Sequence, residues 1–129
     1  MLFSFAGYRW LLCLPMSFNV VIVIQENPFT THRPVEGLRI ALGLSTGFPS
    51  LKIIILNQAL VLLTDEVGEI MDGEILEKYM PTIQNLCLPI FIARESAKEF
   101  QLNLDLNISQ VSPEHITTII RQADRAIIF

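Results

Sequence analysis

The chain has 129 residues, of which 51% are hydrophobic and 17% are charged, and its formal net charge is -4. A chain of this length is typical of one domain and buries about two-thirds of its unfolded surface, so it can fold without disulfides or metals. The isoelectric point near 5.0 gives no basic surface for DNA or RNA, so nucleic acid is not expected as a partner. The mean hydropathy of +0.48 predicts that some apolar surface meets another subunit, with membrane contact as the competing interpretation.

The first fifteen residues are apolar but contain Arg9. A bilayer span needs about 20 apolar residues, and this segment also lacks the basic start and the cleavage site of a secretory signal. Because Met16 stands just before the first strand-like run, we interpret residues 1–15 as an extension and 16–129 as the domain. The extension is either an artefact of start-codon choice or a docking arm.

A β-branched apolar run, Phe18 to Ile24, opens the domain and is typical of a strand buried on both faces of a parallel sheet. It ends at Gln25–Pro28. Thr30 or Thr31 is then expected to cap a helix that takes Pro34 in its first turn. The apolar residues of that helix recur near the helical period: Val35, Leu38, Ala41 and Leu42.

Strand and helix signals alternate through the rest of the chain. Further strands are predicted at 51–56, 88–92 and 126–129, with a brief extended segment at 104–108. Helices are predicted at 58–63, at 96–100, from Asp72 with a kink or break at Pro81, and from Ser112 as the capping residue. This alternation predicts a single-domain α/β fold with a mostly parallel central sheet covered by helices on both faces.

Ligands of such sheets bind beyond the carboxyl ends of the strands, so the loops there carry the candidate site. These loops contain no dinucleotide-binding fingerprint, P-loop or serine-hydrolase motif. The predicted ligand-binding residues are Glu26, Asn27, Thr30, Asn57, Arg94, Glu95 and Ser96. Ordinary solvated loop and capping residues are the competing interpretation of the same set.

The two cysteines, Cys13 and Cys87, have neither CxxC spacing nor a Cys/His cluster suited to zinc. No disulfide, metal site or cofactor is therefore predicted. His32 and His115 stand beside helix starts, where a surface or capping role is favoured over catalysis.

Four segments together suggest a family. In order and spacing, Glu26–Thr31, Gly37–Leu42, Lys52–Leu60 and the tail Ile119–Phe129 resemble the DsrE/DsrF/DsrH-like proteins, which include YchN-like proteins and the TusD and TusC subunits of sulfur relays. The resemblance covers about residues 16 to 129. It implies a small cytoplasmic α/β domain that forms homo-oligomers, trimers or hexamers, or hetero-oligomers with related subunits, with a sulfur-carrier protein as a candidate partner.

The chemistry implied by this resemblance is persulfide transfer by a cysteine just after the strand at 88–92. Ala93 occupies that position here, Ser96 stands where many YchN-like members carry a second cysteine, and Phe100-Gln101 replaces the usual Arg-Gly. The resemblance therefore implies a non-catalytic binding or structural subunit in intracellular sulfur handling, with no catalytic residue. Two alternatives stay open: an active sulfurtransferase or redox protein using Cys87, and a small-ligand or anion-binding protein unrelated to sulfur.

Cys87 precedes Ala93 by about 20 Å of extended chain, and we expect it to be a small buried hydrophobe. Candidate subunit-interface residues are Tyr79, Met80, Ile83 and the loop Val67 to Met71.

Overall fold

The computed structural model describes residues 18–65, 69–103 and 105–129, so the extension at 1–15 lies outside the described residues. The strands are β1 (Val20–Ile24), β2 (Lys52–Ile55), β3 (Ile90–Ala93), β4 (Ile108–Val111) and β5 (Arg125–Ile128). The α-helices are α1 (Arg33–Leu44), α2 (Gly73–Leu86) and α3 (Pro113–Arg121). Two shorter segments, Asn57–Leu63 and Ser96–Glu99, are 3-10 helices.

The strands form one sheet in the order β4-β3-β2-β1-β5, and each of its four strand pairs is parallel. All five residues of β1 are buried, as its β-branched run predicted, because β1 has a neighbour on each side and helices on both faces. The predicted α/β fold with a mostly parallel sheet covered on both faces is confirmed.

Alternate residues of the central strands enter two separate cores. The larger core lies under α1, α2 and the first 3-10 helix, and its strand residues include Ile22, Ile24, Ile53 and Ile55. The smaller core consists of Val21, Val23, Ile54, Ile116 and Ile119, with α3 as its cover. The sheet is therefore packed more heavily on one face than on the other.

The predicted helix starts near Pro34 and at Ser112 are present, but the predicted cap at Thr30 or Thr31 is wrong because neither residue is the N-cap of α1. Ser112 caps α3, since its hydroxyl accepts a hydrogen bond from the backbone N–H of His115 at 3.2 Å. At α1 the N-cap residue is His32, and Pro34 lies in the first turn. The hydroxyl of Thr31 accepts a hydrogen bond from the N–H of Arg33 at 3.3 Å, so Thr31, rather than Thr30, supports this helix start.

Three local predictions need correction. The fourth strand is Ile108–Val111, not the extended segment expected at 104–108. Helix α2 continues through Pro81, because this residue is exposed and the helix packs through Leu76 and Ile83. The helix expected at 96–100 is a four-residue 3-10 helix.

Candidate functional site

The predicted site residues lie at the carboxyl ends of three adjacent parallel strands. Glu26, Asn27 and Thr30 follow β1, Asn57 follows β2, and the segment 94–96 follows β3. Because β3, β2 and β1 are neighbours in the sheet and run in the same direction, all three loops emerge at the same end of the sheet, where the strands have their carboxyl ends. We call this end of the sheet the site edge.

The loop after β1 is held by its own hydrogen bonds. The Oδ1 atom of Asn27 accepts from the N–H of Phe29 at 3.0 Å, and its backbone carbonyl accepts from the hydroxyl of Thr30 at 3.2 Å. These contacts form a local turn of the kind that Asn favours. The carbonyl of Pro28 accepts from the N–H of Met71 at 2.9 Å, which joins this loop to the segment before α2.

Glu26 is engaged in an ion pair. Its Oε2 atom lies 2.7 Å from Nε of Arg33, and the two side chains are 43% and 50% exposed. At this exposure, water screens the pair and limits its contribution to stability. A ligand at this edge would therefore meet the Glu26–Arg33 pair rather than a lone carboxylate.

Asn57 begins the 3-10 helix after β2 with a positive φ of 57°. Among residues other than glycine, Asn and Asp visit this left-handed conformation most readily, because their short side chains bond locally. Asn57 is exposed, so its amide is accessible at the site edge.

The end of β3 is fixed by pairing with β4. Ala93 is in register with Val111, whose carbonyl accepts from the N–H of Arg94 at 2.9 Å. Ala93 is partly buried against the smaller core, whereas Arg94 and Glu95 are exposed. At the carboxyl end of β3, the partly buried methyl group of Ala93 is therefore followed in the chain by the exposed charged side chains of Arg94 and Glu95.

Cys87 lies at the opposite, amino end of the sheet, just before β3. It ends α2 in the left-handed conformation with φ of 51°, and its carbonyl accepts from the side-chain amide of Asn107 at 3.0 Å. The prediction that Cys87 is buried is wrong, because this terminal position exposes the residue. Its location away from Ala93 agrees with the separation inferred from the sequence.

Three clefts of the described chain lie away from the predicted site. One, of about 290 Å³, is lined by Cys87, Leu86 and residues of the 45–51 and 88–89 segments. Two others, of about 170 and 310 Å³, share Thr64 and Asp65. None of these three clefts includes any of the seven predicted ligand-binding residues.

Within residues 18–65, 69–103 and 105–129 there is no group of three or more His, Cys, Asp or Glu side chains that could hold a metal ion. No helix of the described segments is both long and apolar enough to cross a membrane.

Sequence reasoning did not identify Arg33 as a residue of this edge. Its guanidinium contacts Glu26, donates to the carbonyl of Ile128 at 3.1 Å and lies 5.7 Å from the ring centroid of Phe129. The sequence did indicate an anionic partner for Arg33, because a cation at the first residue of a helix interacts unfavourably with the helix dipole unless an anion lies near it. The partner's identity depends on the fold.

The fold and this edge define a single-domain α/β protein with a five-stranded parallel sheet and its polar loops at the carboxyl ends of the strands. The crystal structure of the YchN protein from E. coli is similar, with a TM-score of 0.68 and 14% sequence identity over 87% of this chain and 99% of that one. This likeness supports a YchN-like fold. No protein-family model and no curated protein matches the sequence.

Proposed function

We propose that this chain is a DsrE-like protein of the cytoplasm that acts as a non-catalytic binding or structural subunit in sulfur handling. The observation that carries the proposal is the alanine at the end of β3, at the edge where the three polar loops emerge. By the resemblance of the sequence to the DsrE/DsrF/DsrH-like family, the persulfide cysteine would stand at Ala93. The YchN-like fold is consistent with that resemblance.

A persulfide needs a thiolate that can attack the outer sulfur of a donor, and the methyl group of Ala93 cannot do this. Cys87, the described cysteine, is at the other end of the sheet. The 3-10 helix after β3 has only four residues, so it supplies little dipole at this edge. These features favour binding over sulfur transfer.

The polar loops remain suitable for recognition. Arg94, Glu95 and Asn57 are exposed, so they can contact a sulfur-carrier protein or a related subunit. A small anion bound near Arg94 is the alternative ligand, and the exposed guanidinium is the observation that favours it.

Assembly with other copies or related subunits forms part of the proposal. Large apolar side chains are exposed at Phe29 (42%), Met71 (44%) and Ile75 (40%), and the Met71–Pro28 hydrogen bond joins two of these segments. Exposed apolar surface of this kind is a candidate subunit contact in a trimer or hexamer. Of the candidates inferred from the sequence, Met71 is exposed but Ile83 is buried in the larger core, so Ile83 is not available to a partner.

One observation favours the competing function of a sulfurtransferase that uses Cys87. The thiol-bearing residue is exposed and lines the cleft of about 290 Å³ at the amino end of the sheet. A donor could therefore reach it. A persulfide would form if the thiolate took the donor's outer sulfur and the rest of the donor left as a thiol.

Intact mass spectrometry after incubation with a persulfide donor separates these functions. The proteins compared are wild type, Cys87→Ala, Cys13→Ala and Ala93→Cys. We expect wild type and both alanine variants to retain no stable extra sulfur. Ala93→Cys is expected to gain one sulfur atom, because this position is only partly buried and a donor can therefore reach a thiol at the end of β3.

Stoichiometric loading of wild type that disappears in Cys87→Ala would overturn the non-catalytic proposal in favour of the competing function. Loading that disappears only in Cys13→Ala would also contradict it and would assign the chemistry to the amino-terminal extension.

A further inference from the structure

Strand β5 is an outer strand of the sheet, with β1 as its partner on one side. The backbone N–H groups of Arg125 and Phe129 donate to carbonyls on the β1 side at 3.2 and 2.7 Å. Because backbone groups alternate in direction along a strand, the backbone N–H and C=O groups of Ala126 and Ile128 point to the opposite edge. No strand within residues 18–65, 69–103 and 105–129 pairs with β5 on that side, which we call the free edge.

This free edge is apolar. All four residues of β5 are exposed, and Ile127 and Ile128 keep 38% and 54% of their surface accessible. Exposed apolar edge strands are templates for pairing with another chain, and proteins protect them with charged side chains or other covers.

Arg33 supplies such a cover at the carboxyl end of β5. Its Nη2 atom donates to the carbonyl of Ile128 at 3.1 Å, one of the outward-facing groups. The guanidinium is held there by the ion pair with Glu26 at 2.7 Å and by the ring of Phe129, whose centroid is 5.7 Å away. These three contacts come from two segments, the loop after β1 and the end of β5, and they fix the cation on the strand.

A second cation lies at the other end of the strand, where Arg125 stacks 5.8 Å from the ring centroid of Phe18. If two copies paired antiparallel with Ile127 opposite Ile127, Arg125 of one copy would face Phe129 of the other, where Arg33 is bound. Like charges would then approach each other at both ends of the pair, which disfavours that pairing.

Apart from these cations, the strand is complementary to itself. The same antiparallel register sets the small Ala126 opposite the large Ile128 and aligns their outward N–H and C=O groups as hydrogen-bonded pairs. A second copy of this chain is therefore the partner that the uncovered edge fits best.

We propose that Arg33 covers the free edge of β5 and prevents a second copy of the chain from adding to the sheet there. Glu26 and Phe129 act through Arg33, since they hold its guanidinium against the strand. The inference is independent of sulfur handling and of the subunit surface around Met71.

The test compares wild type, Arg33→Ala and the control Arg39→Ala by sedimentation velocity and light scattering at micromolar concentrations. Arg39 lies on the same helix and has its own partner, Glu36, at 2.7 Å, but the structure records no contact between Arg39 and β5. We expect Arg33→Ala to have at least twice the mass of the wild-type species and Arg39→Ala to leave it unchanged. Amide exchange at Ala126 and Ile128 should slow in Arg33→Ala as pairing protects those groups.

A double variant, Arg33→Ala with Ala126→Pro, separates edge pairing from general aggregation. Proline removes an outward N–H without removing a hydrogen bond to β1, so the double variant should return to the wild-type mass with the same circular dichroism spectrum. A wild-type mass for Arg33→Ala would overturn the proposal. So would a mass increase that persists in a folded double variant.

Discussion

The side chains on the two faces of the sheet are shielded from solvent to different extents, although the same strands contribute residues to both faces. On the inward faces of α1 and α2, Leu38, Leu76 and Ile83 are at most 1% exposed. On the inward face of α3, Ile116 and Ile119 keep 6% and 8% of their surface exposed. The difference indicates that the larger core supplies most of the stability, while the face covered by α3 is closer to solvent.

Truncating one core residue on each face gives the largest expected effect. Leu38→Ala should destabilise the protein by about 3–5 kcal/mol, because it leaves a closed cavity in the larger core. Ile119→Ala should cost about 2 kcal/mol, since solvent and mobile neighbours can fill part of the space near the surface. Urea unfolding of both variants measures the difference, and equal losses would refute the contrast between the faces.

The larger core could be predicted from the sequence because its signals are local. The runs that form β1 and β2 are nearly continuous in β-branched residues, which identifies buried parallel strands without further information. Strand β4 was misplaced because the segment Ile108–Val111 has polar residues at its centre and none of its side chains is fully buried. Its position is fixed by backbone hydrogen bonds, including those from Ile90 to Asn107 and from Arg94 to Val111.

The location of the candidate site could also be predicted from the sequence, but some of its contacts could not. The loops after β1, β2 and β3 could be placed at one edge from strand order and direction alone. The contacts of Arg33 could not, because Arg33 and Ile128 are 95 positions apart in the chain. The exposure of Cys87 also escaped prediction, since it depends on the left-handed turn that ends α2.

Two glycines of α1 test how closely the larger core is packed. An added Cβ at Gly37 would lie 3.0 Å from Cγ1 of Ile24 and 3.1 Å from Cδ2 of Phe129, whereas an added Cβ at Gly43 meets nothing within 4 Å. Overpacking costs about 1–3 kcal/mol and the better helix propensity of alanine returns about 1 kcal/mol. Thermal unfolding should therefore show Gly37→Ala to be destabilised and Gly43→Ala to be stabilised by up to about 1 kcal/mol.

The two substitutions serve as controls for each other, because the change in side chain and the helix are the same. Stabilisation by both would mean that Ile24 and Phe129 move aside without cost, and the larger core would then be looser than the distances indicate.

The smallest effect on stability is expected from a substitution in the Glu36–Arg39 pair on the solvent-facing side of α1. The hydrogen bond from Arg39 lowers the pKa of Glu36 and, in the same pair, raises the pKa of the Arg39 guanidinium. Since the folded-state pKa of Glu36 lies below its unfolded value, the pair stabilises the protein above the unfolded pKa. That contribution is lost as the pH falls through the folded pKa.

Arg39→Gln should raise the pKa of Glu36 toward its ordinary value. The dependence of the free energy of unfolding on pH should therefore weaken in the range where Glu36 titrates. Carboxyl chemical shifts followed by NMR over an acidic pH series measure the pKa directly. An unchanged titration of Glu36 in the variant would show that the side-chain hydrogen bond does not control it.

The pairing of β1 with β5 has a consequence for how the chain reaches its fold. The N–H of Asn19 donates to Oδ2 of Asp124 at 2.6 Å, and these residues are separated by 105 positions. During synthesis β1 is made early, yet its second neighbour arrives only after nearly all of the domain has been translated. Until then one side of the most buried strand is unpaired, so the late intermediate exposes an edge that invites aggregation and chaperone binding. Contacts between such distant residues also favour slow folding, because a long loop must close before they form.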